Sequence, residues 1–217
     1  MKRLFAVVAV LALCTTAQAQ QSRDGKWEFG LTLGNVSGET VTGNNGSYID
    51  SGSSTAYGLS VGYNFSKRLA LSGEIFWATP NYRASLVPDD GVGTPIEINH
   101  EMDLFNYALK GTFNLLEGPI TPFLEAGFGW TNFDSNVSDS PPITGCWWDP
   151  FWGYICETFY STYSKTQESY SLAGGLRWDM NNSMSLKGSY GTHEVKIDNA
   201  AEDLSIDVWR VDVIWRF

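Results

Sequence analysis

The sequence predicts an all-β fold, an eight-stranded antiparallel up-and-down transmembrane β-barrel. Near the end of the chain, large apolar residues at 209, 211, 213 and 215 alternate with residues that are charged except at Ile214. Successive side chains of a strand lie on opposite faces, so this segment has one apolar face and one charged face. The same pattern recurs upstream, and the chain opens with an export signal.

The export signal is expected at residues 1–19, which leaves residues 20–217 as one barrel domain. Lys2 and Arg3 precede an apolar run, 4–13, that ends near the tripeptide 17–19 (Ala-Gln-Ala), the pattern of a secretory signal peptide. The run is too short to cross a bilayer, which takes about 20 residues. The alternative is a lipidated Cys14, although Leu13 stands where a lipoprotein signal normally has a small residue.

Eight segments alternate, and each has about the 9–11 residues that a tilted spanning strand needs. The seventh has the weakest pattern. The predicted strands are Lys26–Val36, Thr55–Phe65, Leu69–Thr79, Asp103–Leu115, Pro122–Phe133, Glu168–Trp178, Ser183–His193 and Leu204–Phe217. Their apolar faces are, in the same order, Trp27, Phe29, Leu31 and Leu33; Tyr57, Leu59, Val61, Tyr63 and Phe65; Leu69, Leu71, Ile75 and Trp77; Phe105, Tyr107, Leu109, Phe113 and Leu115; Leu124, Phe128 and Trp130; Tyr170, Leu172, Leu176 and Trp178; Met184, Leu186 and Tyr190; Trp209, Val211, Val213, Trp215 and Phe217.

The size of these apolar faces indicates that they point outward. Together they hold 33 large residues, 17 of them aromatic. An eight-stranded barrel has an interior that side chains just fill, so it has no room for that many rings. A soluble barrel with an apolar interior is therefore disfavoured, and a lipid-facing surface is predicted. Aromatic residues near the strand ends suit the two interfacial girdles of such a barrel.

The connections between the strands alternate in length. Residues 66–68, 117–121 and 179–182 form short turns, whereas residues 37–54, 80–102, 134–167 and 194–203 form longer polar segments. Outer-membrane barrels have short periplasmic turns and longer extracellular loops. Both ends of the chain are therefore predicted on the periplasmic side.

The opposite, inward faces carry charges among small residues. Unpaired ions in a narrow interior are costly, so these charges should form a hydrogen-bonded network. The near balance of positive and negative groups predicts a plugged barrel rather than an open pore. The predicted network is Glu28, Glu74, Lys110, Glu125, Arg177, Lys187, Arg210, Asp212 and Arg216.

The overall composition excludes some classes of partner. A formal net charge of −10 argues against nucleic acid, which needs clustered Lys and Arg. His100 near Glu101 and Asp103 resembles half of a metal site, but isolated His–acid pairs are usually solvated loop residues. We therefore expect no metal site and no cofactor.

Two cysteines remain after removal of the signal, Cys146 and Cys156, and in an exported chain a pair is most simply a disulfide. The ring that they close contains five aromatic residues and Ile155. One interpretation is a preorganised patch that binds an extracellular ligand. The other is a stiff hairpin whose rings pack on one another and on lipopolysaccharide. The candidate patch is Trp147, Trp148, Phe151, Trp152 and Tyr154.

The signal, the eight amphipathic segments, the stretch 122–129 (PFLEAGFG) and the terminal Trp215-Arg216-Phe217 resemble small outer-membrane barrels of the OmpA transmembrane-domain, OmpX and opacity-like type. The resemblance implies a place in the cell outer membrane, among lipid and lipopolysaccharide. It also implies that Trp215 and Phe217 form a signal for the barrel-assembly machinery, reached through periplasmic chaperones. Unlike OmpA, the chain ends with the last strand, so no tether to the cell wall is expected.

The function expected from these features is structural or surface-interacting and not enzymatic. One alternative is a narrow channel. The other is a lipid A-directed enzyme, because some small outer-membrane barrels use a His/Ser/acid set and a histidine can activate a serine. Ser189 lies about 13 Å from His193 along a strand, too far for a hydrogen bond, and Ser171 is not marked by any motif. His193 is therefore expected to be a rim residue.

Overall fold

The computed structural model describes residues 22–42, 47–86, 96–197 and 203–217. The predicted signal peptide lies outside these ranges. Among the described residues, no helix is long and apolar enough to cross a membrane. The strands are β1 (Trp27–Val36), β2 (Thr40–Thr42), β3 (Tyr48–Ser51), β4 (Ser54–Asn64), β5 (Leu69–Ala78), β6 (Asn81–Leu86), β7 (Ile96–Glu101), β8 (Asp103–Asn114), β9 (Ile120–Ser138), β10 (Ile143–Asp149), β11 (Gly153–Phe159), β12 (Thr162–Asp179), β13 (Met184–Val195) and β14 (Leu204–Arg216).

Eight of the strands close into an antiparallel barrel in the order β1-β14-β13-β12-β9-β8-β5-β4. Strand β1 completes the ring because it pairs with both β4 and β14, so that Phe29 lies between Val61 and Trp215. The backbones of Trp27 and Phe217 exchange two hydrogen bonds of 3.0 and 3.1 Å at the seam. The predicted fold class is confirmed, and each predicted strand corresponds to one barrel strand.

The two faces of the barrel wall differ sharply in chemistry. Leu33, Leu109 and Leu172 on the outside are more than half exposed, whereas Arg177 and Asp212 on the inside are 1% and 4% exposed. This arrangement is the reverse of a soluble protein, in which apolar residues fill the interior and charges cover the surface. The outward apolar face predicted from the sequence is therefore present.

Aromatic residues collect at both ends of the outer face. We call the end that holds the short turns and the last residue the turn end, and the opposite end the loop end. The predicted girdle residues are all exposed on the outer face: Trp27, Phe65, Trp178, Trp215 and Phe217 at the turn end, and Trp77 and Trp130 toward the loop end.

Six further strands build the loop end, where the sequence indicated only long polar segments. Strands β2, β3, β6 and β7 form a four-stranded sheet, and β10 pairs with β11 as a separate hairpin. Strands β9 and β12 also extend past the barrel, so they are longer than the predicted segments 122–133 and 168–178. Alternation could not reveal β10 and β11 because both faces of these two strands are largely exposed.

The outward face generates a test of stability. Leu109→Arg places a charge in the middle of β8 on the outer face, which should cost about 2–4 kcal/mol of unfolding free energy in a bilayer. Ile143→Arg, at an even more exposed position in the loop-end hairpin, should change the unfolding free energy by less than about 0.5 kcal/mol. Urea unfolding in lipid vesicles, followed by heat-modifiable migration on gels, measures both. Equal effects of the two substitutions would contradict a lipid-facing position for Leu109.

Candidate functional site

The lumen at the turn end is closed by a layer of paired ions. Arg177 contacts Glu28 through two hydrogen bonds, one of them 3.2 Å long, and donates to Asp179 over 2.9 Å. Arg216 donates to the same Asp179 oxygen over 2.6 Å, and Ser185 adds a third hydrogen bond. Asp179 thus holds two guanidinium groups together across the barrel interior. Its side chain is fully enclosed.

Arg23 adds a third guanidinium to this layer from outside the strands. It precedes β1, yet it is 1% exposed, with one nitrogen 2.9 Å from Asp179 and 2.9 Å from the carbonyl oxygen of Gly118. The segment before the barrel therefore folds beneath the turn end and seals it. The sequence analysis missed Arg23 and Asp179. The alternation of β12 continues to Asp179 and could have revealed it, whereas no pattern marks Arg23.

A second ionic layer fills the middle of the lumen around Arg210. This side chain donates to Glu74 over 2.8 Å and also to Glu125. Lys110 contacts Glu74, and Lys187 donates to Glu125 over 3.0 Å, so each carboxylate meets at least two cations. All five side chains are buried.

Asp212 completes this layer, with one oxygen 3.9 Å from Arg210 and the other accepting a 2.6 Å hydrogen bond from Thr32. Gly127 faces the same space, where an added Cβ would lie 2.9 Å from the Lys110 side chain. The nine charged residues predicted to face inward are all buried in the lumen, in two layers.

Above the central layer the lumen becomes polar and then apolar. Asn106 donates hydrogen bonds of 3.0 Å to Thr131 and to Ser169. An apolar cluster then closes the loop end, composed of Val36, Ala56, Phe76, Ala78, Leu104, Val195, Leu204 and Ile206. The cavity between the cluster and the central layer measures about 40 Å³, room for a few water molecules.

His193 lies in this polar region and not at the rim, where the sequence analysis placed it. Its Nε2 is 3.0 Å from the Thr131 hydroxyl, and Ser171 is its cross-strand neighbour. Ser189 instead accepts a hydrogen bond of 3.1 Å from Arg210. The ring turns inward because positions 185, 187, 189 and 193 of β13 share the enclosed face. It therefore does not face the outer surface of the barrel, where a membrane lipid would lie.

The disulfide lies in the β10–β11 hairpin. Cys146 and Cys156 are directly paired across the two strands and are bonded to each other. At the tip, one oxygen of Asp149 accepts hydrogen bonds from the backbones of Phe151 and Trp152 over 2.8 and 3.0 Å. Gly153 follows with a φ of +79°, a left-handed conformation that favours glycine. The hairpin therefore has a defined turn and a covalent cross-link.

The aromatic residues of this hairpin project into solvent. Phe151 and Trp152 at the tip are 89% and 80% exposed, and Trp148 is 73% exposed beside its cross-strand partner Tyr154. On the other face Trp147 packs against Phe159, with ring centroids 5.8 Å apart. All five residues of the predicted patch are thus brought together on one element, although they do not share one face.

The hairpin also lies beyond the barrel rim. Strand β9 continues for four residues past Asp134, its last residue paired with β8, which at about 3.3 Å per residue extends it roughly 13 Å. Strand β12 pairs with this extension, with a register shift between Thr162 and Ser164. The aromatic rings of the hairpin therefore lie beyond the aromatic girdle and do not pack against it.

The remaining predicted positions are at the two ends. Phe217 closes the seam with Trp27, and Trp215 lies on the outer face at the turn end. His100 is exposed in β7. Within the described parts of the chain, no group of three or more His, Cys, Asp and Glu side chains is arranged to hold a metal ion.

The sequence matches the family model described as outer membrane protein beta-barrel domain over residues 5–217. The chain belongs to this family. None of the curated proteins matches the sequence. The barrel domain therefore lies in the cell outer membrane, its apolar outer face contacts lipid, and its turn end and loop end are the periplasmic and extracellular ends.

Solved structures show the same fold. Neisserial surface protein A is 11% identical, with a TM-score of 0.57, over 89% of this chain and 100% of that chain. OprG from Pseudomonas aeruginosa is 11% identical, with a TM-score of 0.51, over 89% of this chain and 96% of that chain. At these identities the likeness to each concerns the fold alone.

The central ionic layer generates a second test. Arg210→Met leaves Glu74 and Glu125 with fewer cations inside the barrel, which should cost about 3–5 kcal/mol of unfolding free energy. Arg68→Met removes an exposed ion pair of 3.1 Å with Glu117 at the periplasmic turns and should cost at most about 1 kcal/mol. Urea unfolding of both variants in lipid vesicles measures the difference. Similar losses of unfolding free energy in the two variants would show that the central ionic layer contributes no more to stability than a surface ion pair does.

Proposed function

We propose that this outer-membrane barrel is a non-catalytic surface-interaction protein whose β10–β11 hairpin contacts an extracellular ligand. The observation that carries the proposal is the exposure of the tip residues, 89% for Phe151 and 80% for Trp152, together with that of Trp148 and Tyr154. Large exposed apolar patches mark interaction sites, and tryptophan and tyrosine dominate the binding energy of such sites.

The rigidity of the hairpin supports the same proposal. The disulfide closes a loop with a sequence separation of 10, and the Asp149 turn fixes the tip. Rings held in place before binding lose less conformational entropy when a partner arrives, which favours affinity. The extension of β9 and β12 past the barrel is roughly 13 Å long, so a ligand outside the cell would have access to the aromatic rings of the hairpin.

The sealed lumen supports a scaffold rather than a channel. A channel needs a continuous water path, but two ionic layers and an apolar cluster lie across this lumen, and the cavity between them is about 40 Å³. The position of His193 supports a role other than catalysis on membrane lipid, because its ring lies inside the barrel with Nε2 beside Thr131.

The route to the membrane is part of the proposal. Residues 1–19 would direct export, and Trp215 and Phe217 would be read by the barrel-assembly machinery. Lipopolysaccharide would surround the extracellular half of the barrel. Both terminal aromatic residues lie on the outer face at the periplasmic end, where an assembly factor has access to them.

Substitution of the hairpin tip tests the interaction. Phe151→Ser with Trp152→Ser should reduce binding at least about 30-fold, the effect of losing one hot-spot residue worth about 2 kcal/mol. A strain that lacks the gene is complemented with either the wild-type protein or the tip variant. The two complemented strains are compared for attachment to protein-coated, polysaccharide-coated and apolar surfaces. Cys146→Ser with Cys156→Ser should give a smaller loss of binding, because the aromatic rings remain but the disulfide no longer holds them in a fixed arrangement.

The matched control for the tip is Tyr163→Ser, since Tyr163 is an aromatic residue of β12 that is 62% exposed and lies outside the hairpin. It should leave attachment unchanged. Equal attachment by wild type and the tip variant, at equal surface amounts, would contradict the role of the hairpin.

Electrical measurement tests the closed lumen. In a planar bilayer the wild-type barrel should give little or only intermittent current, because charged side chains occupy its cross-section at two levels. The control is a porin reconstituted in the same lipid, which should conduct steadily. A stable conductance from the wild-type barrel would favour the channel alternative.

A further inference from the structure

The extracellular end contains a second surface feature, a cleft that is separate from the aromatic hairpin tip. It lies where the β2-β3-β6-β7 sheet meets the extension of β9 and the connection between β11 and β12, and its volume is about 840 Å³. This volume is within the roughly 300–1,000 Å³ range of ligand pockets. Its described lining includes Asp50, Tyr82, Arg83, Asn99, Glu101 and Tyr160.

The geometry points to this cleft as a binding site for a neutral oligosaccharide. Sugar hydroxyls both donate and accept hydrogen bonds, so they are matched by donors and acceptors placed side by side. Arg83 and the amides supply donors, and Asp50 and Glu101 supply acceptors. The exposed ring of Tyr160 offers an apolar surface for the C–H face of a sugar ring.

Several lining groups are already oriented. Arg83 donates its Nε–H to the carbonyl oxygen of Asn99 over 3.2 Å. The guanidinium of Arg83 and the amide of Asn99 carry further N–H groups, all of which are hydrogen-bond donors. Thr40 donates to one oxygen of Asp50 over 2.9 Å, which fixes that carboxylate as an acceptor.

Two contacts join the sheet to β9 and hold the cleft open without a ligand. The Tyr82 hydroxyl donates to the Ser135 carbonyl oxygen over 3.1 Å, and burial raises the pKa of this hydroxyl above its ordinary value, which keeps it a donor. Asn136 donates to the Glu101 carbonyl oxygen over 3.1 Å. Its φ of +53° lies in the left-handed region, which asparagine adopts more readily than most other residues with a side chain.

The charge of the lining disfavours other ligand classes. The described lining holds two carboxylates, Asp50 and Glu101, and one arginine, Arg83. A polyanion would meet net repulsion in the cleft and from the whole chain, which has a formal charge of −10. An apolar ligand would leave the amides and carboxylates desolvated and unpaired.

Tyr160→Ala and Asn99→Ala test the cleft with an array of immobilised neutral di- and trisaccharides that contain glucose, galactose or N-acetylglucosamine. The purified barrel is kept in a detergent without a sugar headgroup, because a glycosidic detergent would compete. Wild type should bind at least one of these glycans, and each substitution should weaken that binding about tenfold or more. Heat-modifiable migration on gels shows that the variants are folded.

Tyr163→Ala is the matched control, because Tyr163 is 62% exposed, Tyr160 is 63% exposed, and only Tyr160 lines the cleft. It should bind as wild type does. The Phe151→Ser, Trp152→Ser variant should also keep its glycan binding, which separates this site from the hairpin. Loss of glycan binding in that variant, with Tyr160→Ala unaffected, would assign the sugar to the hairpin and overturn the cleft.

A competition experiment distinguishes two sources of the sugar, the bacterium's own envelope and another surface. Competition by lipopolysaccharide from the producing bacterium would support the cleft as a site for the sugars of its own envelope. Binding that persists in the presence of that lipopolysaccharide would support a site for glycans of another surface. Failure of wild type to bind any neutral glycan at millimolar concentration, or binding of sulfated glycans alone, would overturn the inference.

Discussion

The closed hydrogen-bonded ladder is the constraint on which the rest of this structure depends. Hydrocarbon offers no partner for a backbone N–H or C=O group, so a sheet in a membrane must have no free edge. Pairing of β1 with both β4 and β14 meets this requirement. Closure then separates two environments across a single wall. Bulky residues meet lipid on one side, and polar residues meet one another on the other.

The lumen illustrates what such enclosure demands of charged groups. A buried carboxylate is tolerable when cations and hydrogen bonds surround it, and Glu74, Glu125 and Asp179 each have at least two cationic partners. Replacing such a network by apolar groups often leaves stability unchanged, whereas removing one member is costly. The network fills the interior of the barrel, and each of its charges depends on the others to be tolerated there.

The fold was predictable because the membrane imposes alternation on every barrel strand. Even the weak seventh segment corresponds to β13, one residue shorter at its start and two longer at its end than predicted. The outer strands were not predictable, since β10 and β11 expose both faces and their sequences lack a period. Arg23 was missed for another reason. It acts from a segment without regular structure, where only tertiary contact reveals its role. The cleft likewise depends on strands that are distant in sequence and meet only in the folded chain.

The enclosed cations also change the chemistry of the outer surface. Of the chain's 14 lysines and arginines, six are buried in the lumen: Arg23, Lys110, Arg177, Lys187, Arg210 and Arg216. In the described extracellular parts only Arg83, Lys165 and Lys196 remain, in or next to strands. Trypsin added to intact cells, or a reagent that modifies amines, therefore meets few targets on a surface rich in carboxylates. Topology mapping of this barrel is better served by proteases and labels directed at acidic or aromatic residues.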